Sequence, residues 1–339
     1  MKLRQIISFA LGAALIAATA LLAGCGGEAA GQDKTINSDG KKVVRIAVQP
    51  SSAFIPLYVA RTNGWIEEAL KKENVEVQWT DFEAGPPMNE SFSAGQQDIG
   101  VIGDIPAVSA VAAGQDNVYI ADINGGPAYA VLVKPDSPVK SVADLKGKKV
   151  GTVVGSTSQN LLEKLLKQSG LTIKDVELVN ITAGDAQTVL TNGNVDAVSI
   201  WEPTVTRLEA NKTARILADG SNVGFKGVNV IFARNQFIKD YPEIAKIVLE
   251  QYVRGVKEWK ANPEKYAPAL QQYFKLEPDL IIATSKKYDY KSVFAPEDAA
   301  ALEDTAAFLK SIDAIHSDVD IKGHISDDLI KQVISGEKK

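Results

Sequence analysis

Cysteine and histidine are nearly absent from this 339-residue chain, which holds one of the former and two of the latter. A single cysteine excludes internal disulfides, zinc clusters and iron–sulfur cages. The histidines, His316 and His324, lie near the C-terminus and read as surface residues, which leaves little for imidazole catalysis. No GxxxxGKS/T, GxSxG, HExxH or CxxC string occurs. Basic residues are outnumbered 37 to 42, for a net charge of −5. The first 24 residues carry Lys2 and Arg4 and no acid, so the rest holds 35 bases against 42 acids, or −7. An acidic body argues against nucleic acid as a partner. It also means that any attraction for an anion has to be local. What remains is an ordinary globular mix, 45% hydrophobic and 23% charged, and long enough for two domains.

The one long apolar run is at the start. Met1–Arg4 is basic, and Ile6–Ala23 is uncharged. Small residues, Ala23 and Gly24, stand just before the sole cysteine, Cys25. A basic start, an apolar run and a small-residue end mark an export signal rather than a spanning helix. The ending resembles the bacterial lipoprotein signal, which implies removal of residues 1–24 and lipid on Cys25. Residues 25–42 are mostly Gly, Ala and polar residues and read as a flexible tether. Its typical span is roughly 21–25 Å.

The body alternates extended and helical segments. Strands are expected at Val43–Val48, Val75–Thr80, Asp98–Ile102 and Val118–Asp122, each followed by a helical stretch or a Gly/Pro break. After an extended Tyr129–Val133 the alternation restarts, with strands at Lys149–Val154, Val176–Ile181, Asp196–Ile200 and Ala214–Leu217. Asn229–Ala233 is extended again, and the remainder is helical. Pro242 opens a long helix whose apolar residues Ile244, Ile247, Val248, Tyr252, Val256 and Trp259 recur at helical spacing. Repeated β-α-β implies an α/β fold with parallel sheets. Two such units in series predict two lobes, residues 43–130 plus 233–339 and residues 131–232. They would be joined by two hinge strands at Ala128–Pro135 and Asn229–Arg234, with a cleft between them.

In open α/β sheets ligands bind beyond the carboxyl ends of the strands. Here those ends carry Gln49-Pro50-Ser51-Ser52, Glu83-Ala84-Gly85-Pro86, Gly103-Asp104, Ser156-Thr157-Ser158 and Gly184-Asp185. Each adjoins an expected helix N-terminus, which offers free N–H groups and about half a positive charge. Serine and threonine hydroxyls add donors. Such a set holds an anion without Arg or Lys. Three to five donors, at about 1.5–3 kcal/mol each less the cost of association, reach micromolar affinity, about −8 kcal/mol. Each loop alone reads equally well as helix capping.

Five strings carry a resemblance. They are Trp79–Pro86 (WTDFEAGP), Asp98–Pro106 (DIGVIGDIP), Asp136–Val150, Gly155-Ser156-Thr157 and Asn194–Pro203 (NVDAVSIWEP). Together they resemble the binding proteins of sulfonate, nitrate and taurine ABC importers, above all the aliphatic-sulfonate branch, over about residues 43–270. The resemblance implies a type II periplasmic-binding-protein fold: two lobes that close on a small anion, with an ABC permease and its ATPase as partners. It further implies a monomer, anchored by lipid outside the cytoplasm; with no histidine before His316 and no catalytic motif, neither an enzyme on this scaffold nor a cofactor or metal is expected. It carries ligand contacts over to Gln49, Ser51, Gly85, Pro86, Gly103, Asp104, Ser156, Thr157, Ser158, Asp185, Trp201 and Glu202. Phe54 and Asn229 join them as candidates from their positions after the first strand and at the return crossing. Phe54 forms a cleft wall or packs under the first helix. Trp201 faces an alkyl chain or is core. Glu202 either pairs with a ligand ammonium, favouring taurine, or caps the following helix. An organosulfonate is the expected ligand. Taurine, nitrate, bicarbonate, a thiamine-precursor pyrimidine, and a ligand sensor for a signalling partner remain as alternatives.

Overall fold

The computed structural model describes residues 41–337. The lipidation candidate Cys25, the signal segment and all but the last residues of the tether lie outside them. Two five-stranded sheets organise the chain. The first contains β1 (Lys42–Val48), β2 (Val75–Asp81), β3 (Ile99–Gly103), β4 (Asn117–Asn124) and β10 (Asn229–Arg234). The second contains β5 (Tyr129–Val133), β6 (Lys149–Thr152), β7 (Glu177–Asn180), β8 (Ala197–Trp201) and β9 (Arg215–Asp219). Their orders are β2-β1-β3-β10-β4 and β7-β6-β8-β5-β9. One pattern is therefore built twice, and the lobes are related by repetition.

Helices cover both faces of the first sheet. After β1 come α1 (Ile55–Thr62) and α2 (Trp65–Lys71), then α3 (Gly85–Ser93) and α4 (Asp104–Ala112). The second lobe holds α5 (Thr157–Gln168), α6 (Ala186–Thr191) and α7 (Thr204–Ala210). The tail returns to the first lobe as α8 (Asn235–Asp240), α9 (Pro242–Ala261), α10 (Pro263–Phe274), α11 (Pro278–Ser285), α12 (Pro296–Ser311) and α13 (Asp328–Glu337). Most of these tail helices start with proline in the first turn, where the missing N–H costs nothing. Strand alternation sorts the core. Val44, Ile46 and Val48 of β1 pack with α1, α9 and α10 on one face, while Ala47 joins Phe92, Ile105 and Leu302 on the other. A sheet covered on both faces needs nearly continuous apolar strands, which is how β1, β3 and β10 read.

Two expectations are corrected. The sheets are mixed, because β10 is antiparallel to β3 and β4, and β5 is antiparallel to β8 and β9. β10 is separated from β3 and β4 by the whole second lobe, and β5 from β8 and β9 by more than sixty residues of its own lobe, so local β-α-β alternation carries no sign of the pairing. The same pairing moves the crossings. β5 lies wholly in the second sheet and β10 wholly in the first, so neither is a hinge strand, and the boundaries near residues 130 and 232 shift outward from those strands. The chain crosses instead through the irregular segments 125–128 and 225–228. The first is held by Gly125 N–H donating to Asp289 Oδ1 at 2.9 Å. A side chain on Gly126 would meet the Lys287 carbonyl at 2.2 Å, so the chain runs tight against residues 287–291 there.

Candidate functional site

In both sheets the first and third strands of the repeated pattern lie side by side at the centre, so the loops leaving their carboxyl ends diverge and open a crevice. The two crevices face each other. From β1 come Gln49 and Ser51, from β3 Gly103, from β6 Ser156 and Thr157, and Trp201 ends β8; all line one cavity of about 30 Å³. Gly85, Pro106, Tyr129 and Asn229 complete its wall. That volume holds a water or two.

The lobes meet around it. Thr157 Oγ1 donates to Asp104 Oδ1 at 2.6 Å, and Asn229 Nδ2 reaches the Tyr129 hydroxyl at 3.5 Å. Ser52 N–H donates to the Glu202 carbonyl at 3.3 Å. Further out, Lys164 pairs with Asp304 at 2.9 Å and Lys287 with Glu202. Ala84 of the first lobe sits in the apolar cluster of the second. This is a closed arrangement.

The N-termini of α4 and α5 point at the cavity from opposite lobes, through Gly103 and Ser156. Ser156 stands at the cap position of α5, yet its side chain makes no cap bond. Its Oγ is buried with no hydrogen-bond partner among the described residues, as is that of Ser158. Two glycines allow the walls to touch. A Cβ on Gly85 would lie 2.4 Å from Pro106 Cγ, and one on Gly103 would lie 2.6 Å from Thr157 Oγ1. Every side chain on the wall is uncharged at neutral pH. Burial holds the Tyr129 phenol well above its usual range. No metal-binding cluster of His, Cys, Asp or Glu occurs among the described residues.

Gln49, Ser51, Gly85, Gly103, Ser156, Thr157, Trp201 and Asn229 come together here. Six candidates do not line the cavity. Phe54 is 1% exposed and packs in the core beneath α1, because the short 3-10 turn Ser52–Phe54 rotates it inward. Pro86 lies beyond Gly85, against Gly155 of the other lobe. Asp104 is buried behind Thr157. Ser158 sits one residue further into α5, and its carbonyl takes the Ser199 hydroxyl at 2.8 Å. Asp185 is exposed after the outermost strand β7 and takes the Thr182 hydroxyl at 2.9 Å. Glu202 is fully buried, accepts from Thr206 N–H and Oγ1 at 3.0 Å each, and pairs with Lys287. It is a cap and an interlobe anchor. Pro106 and Tyr129 line the cavity without standing among the sequence candidates: Pro106 closes the Asp98–Pro106 string, and Tyr129, in the expected hinge, begins β5 at the cleft end.

A family model described as "NMT1/THI5 like" matches residues 51–266. A "Putative aliphatic sulfonates-binding protein" of Bacillus subtilis (strain 168) is 30% identical over 323 residues, covering 94% of this chain and 95% of its own. The crystal structure of the periplasmic aliphatic sulphonate binding protein SsuA from Escherichia coli superposes with a TM-score of 0.72 at 30% identity, covering 86% of this chain and 99% of that one. The alkanesulfonate-binding protein SsuA from Xanthomonas axonopodis pv. citri, bound to MOPS, gives 0.76 at 25% identity, covering 84% and 98%. The desulfurization enzyme DSZB shares the fold at 16% identity and a TM-score of 0.67.

Proposed function

The chain belongs to the NMT1/THI5-like family, and we propose that it is the solute-binding receptor of an ABC importer, capturing an alkanesulfonate outside the cytoplasm by lobe closure. One observation carries the choice of ligand: a cavity with no charged wall, set at the N-termini of α4 and α5, with the Ser156 hydroxyl buried and unpartnered beside it. Helix termini, backbone N–H groups and hydroxyls there offer neutral donors to sulfonate oxygens. Trp201, Tyr129 and Pro106 offer apolar surface to an alkyl group. The names of the relatives support the same ligand class.

Glu202 argues for an alkanesulfonate over taurine. Its carboxylate already satisfies Lys287 and Thr206, and it lies off the cavity. A ligand ammonium therefore finds no free acid. The wall itself carries no His, Cys, Lys or carboxylate, and the Ser156 hydroxyl has no base beside it among the described residues, which favours binding over catalysis. As closed here the cavity holds a water or two, so the lobes part to admit a sulfonate and close around it. Only tighter binding to the closed state drives that closure. Lipid on Cys25 would tether this monomer to the membrane beside its permease.

Thermal unfolding of the full chain tests the reading. Phosphate buffer is required, because MES, HEPES and MOPS are themselves sulfonates. Ligand at 100 times its Kd adds about 2.7 kcal/mol, or several degrees of Tm. Ethanesulfonate and MOPS are expected to give that shift, and taurine, sulfate, nitrate, bicarbonate and an aminopyrimidine less. A folded protein that ignores every sulfonate refutes the assignment.

A further inference from the structure

Asp104 sits where a second negative charge is least welcome. It is 2% exposed, opens α4, and directly follows Gly103 of the cavity wall. Oδ1 accepts from the Thr157 hydroxyl at 2.6 Å and from Ile105 N–H at 2.7 Å. Oδ2 accepts from the Thr305 hydroxyl of α12 at 3.2 Å. No cation pairs with it among the described residues. α5 contributes Lys164 at longer range, itself held by Asp304 of α12, and β5 contributes the buried Tyr129 phenol. β10 contributes the neutral Asn229. Thus one buried carboxyl joins both lobes and occupies a hydroxyl that also lines the cavity.

An oxyanion in the cavity competes for the Thr157 hydroxyl. It also places its charge near Asp104 in a space with little water, where repulsion is weakly screened. Both effects oppose the carboxylate and spare the neutral acid. We propose that Asp104 is a positioning residue that couples anion binding to uptake of a proton, taken from solvent onto its carboxyl group. This rests on the anion-binding reading above. Burial already pushes the carboxyl above its usual range, against three hydrogen bonds that pull it down. Linkage then sets the sign. The loaded protein holds the proton to higher pH than the free protein. Between those two points affinity falls up to tenfold per pH unit as pH rises. A sulfonate stays ionised throughout, so the ligand adds no titration of its own.

Calorimetry on the full chain with ethanesulfonate, from about pH 4 to about pH 8, reads this directly. Acetate, phosphate and Tris differ in ionisation heat, so the apparent enthalpy counts protons. The wild type is expected to take up a fraction of a proton, up to one, within a window of falling affinity. Asp104→Asn keeps an oxygen for Thr157 and Ile105, and is expected to bind with a flat profile and no uptake. Thr305→Val, away from the cavity wall, removes one hydrogen bond to the charged form and is expected to move the window to higher pH. Binding with a flat wild-type profile, or a wild-type slope retained in Asp104→Asn, overturns the role of Asp104 and leaves the receptor reading standing. Absence of binding at every pH overturns both.

Discussion

Gly103→Ala is a substitution whose cost falls on one conformational state. Gly103 has φ −79° and ψ 168°, which alanine adopts freely, so only space decides. The added Cβ would lie 2.6 Å from Thr157 Oγ1 and 3.6 Å from Asn229 Oδ1. Thr157 cannot swing aside cheaply, because it is 4% exposed and bonded to Asp104. It belongs to the other lobe, so opening the cleft relieves the clash completely. Overpacking of this kind costs about 1–3 kcal/mol, all of it in the closed state. Since the ligand selects that state, its apparent Kd rises by the same free energy, about 5- to 150-fold. The Tm without ligand stays near wild type. Gly85→Ala is the control. Its clash, 2.4 Å with Pro106 Cγ, lies within one lobe, so it lowers Tm in every state. Calorimetric Kd values and ligand-free melting curves for both variants make the test. A Gly103→Ala protein within twofold of wild-type affinity refutes the argument that the bound lobes meet at Thr157, and a matching loss of Tm refutes its restriction to closure.

Three further outcomes are expected. Ser156→Asp places a carboxylate at the α5 N-terminus, where it caps the helix and occupies the anion position, so sulfonate titrations go silent while Tm holds or rises; intact affinity removes Ser156 from the site. Lys287→Met strips the cation from fully buried Glu202, and because the pair spans the lobes, sulfonate affinity falls more than stability does, by about tenfold for roughly 1.4 kcal/mol; equal losses in a parallel urea melt contradict this. Asp122 is pushed up to about 9 by burial and by its neighbour Asp298, so the folded protein keeps a proton that the unfolded chain releases above about pH 4. Stability is then lost as pH climbs from there toward 9, and Asp122→Asn gains most over wild type at the alkaline end; a urea-midpoint difference that does not change with pH refutes it.

Apolar runs bounded by Gly/Pro breaks mark every strand to within a few residues, most plainly the central strands that are buried on both faces. They do not disclose direction. β10 lies in the first sheet between β3 and β4 but follows the whole other lobe in sequence, and β5 precedes both of its antiparallel partners, β8 and β9. Pairing of that kind joins segments far apart in the chain, which local alternation does not report. Val230 and Phe232 facing one helix layer, with Ile231 and Ala233 facing the other, look the same in either direction.

Strand ends in the sequence point to the residues that line the cavity, and the acidic residues beside them do not. Ser51, Gly103, Ser156 and Asn229 lie where the loops leave the sheets, and they line the cavity. The three acids proposed beside them do not. An acid near a helix start has partners close by, and each was claimed: Asp185 by Thr182, Glu202 by Thr206 and Lys287, Asp104 by Ile105, Thr157 and Thr305. Ser156, with no such partner, keeps its hydroxyl for the cavity. The sorting has a consequence for ligand choice. A bare carboxylate on the wall would cancel the positive ends of α4 and α5, and a bare lysine would make any anion acceptable. With both kinds of charge held off the wall, recognition depends on how many neutral donors an anion can fill at once. A sulfonate offers three oxygens to such a set and an alkyl group to Trp201. Nitrate offers the oxygens without the alkyl group, so it should bind more weakly than ethanesulfonate by the transfer free energy of two carbons, roughly 1.6 kcal/mol or about fifteenfold.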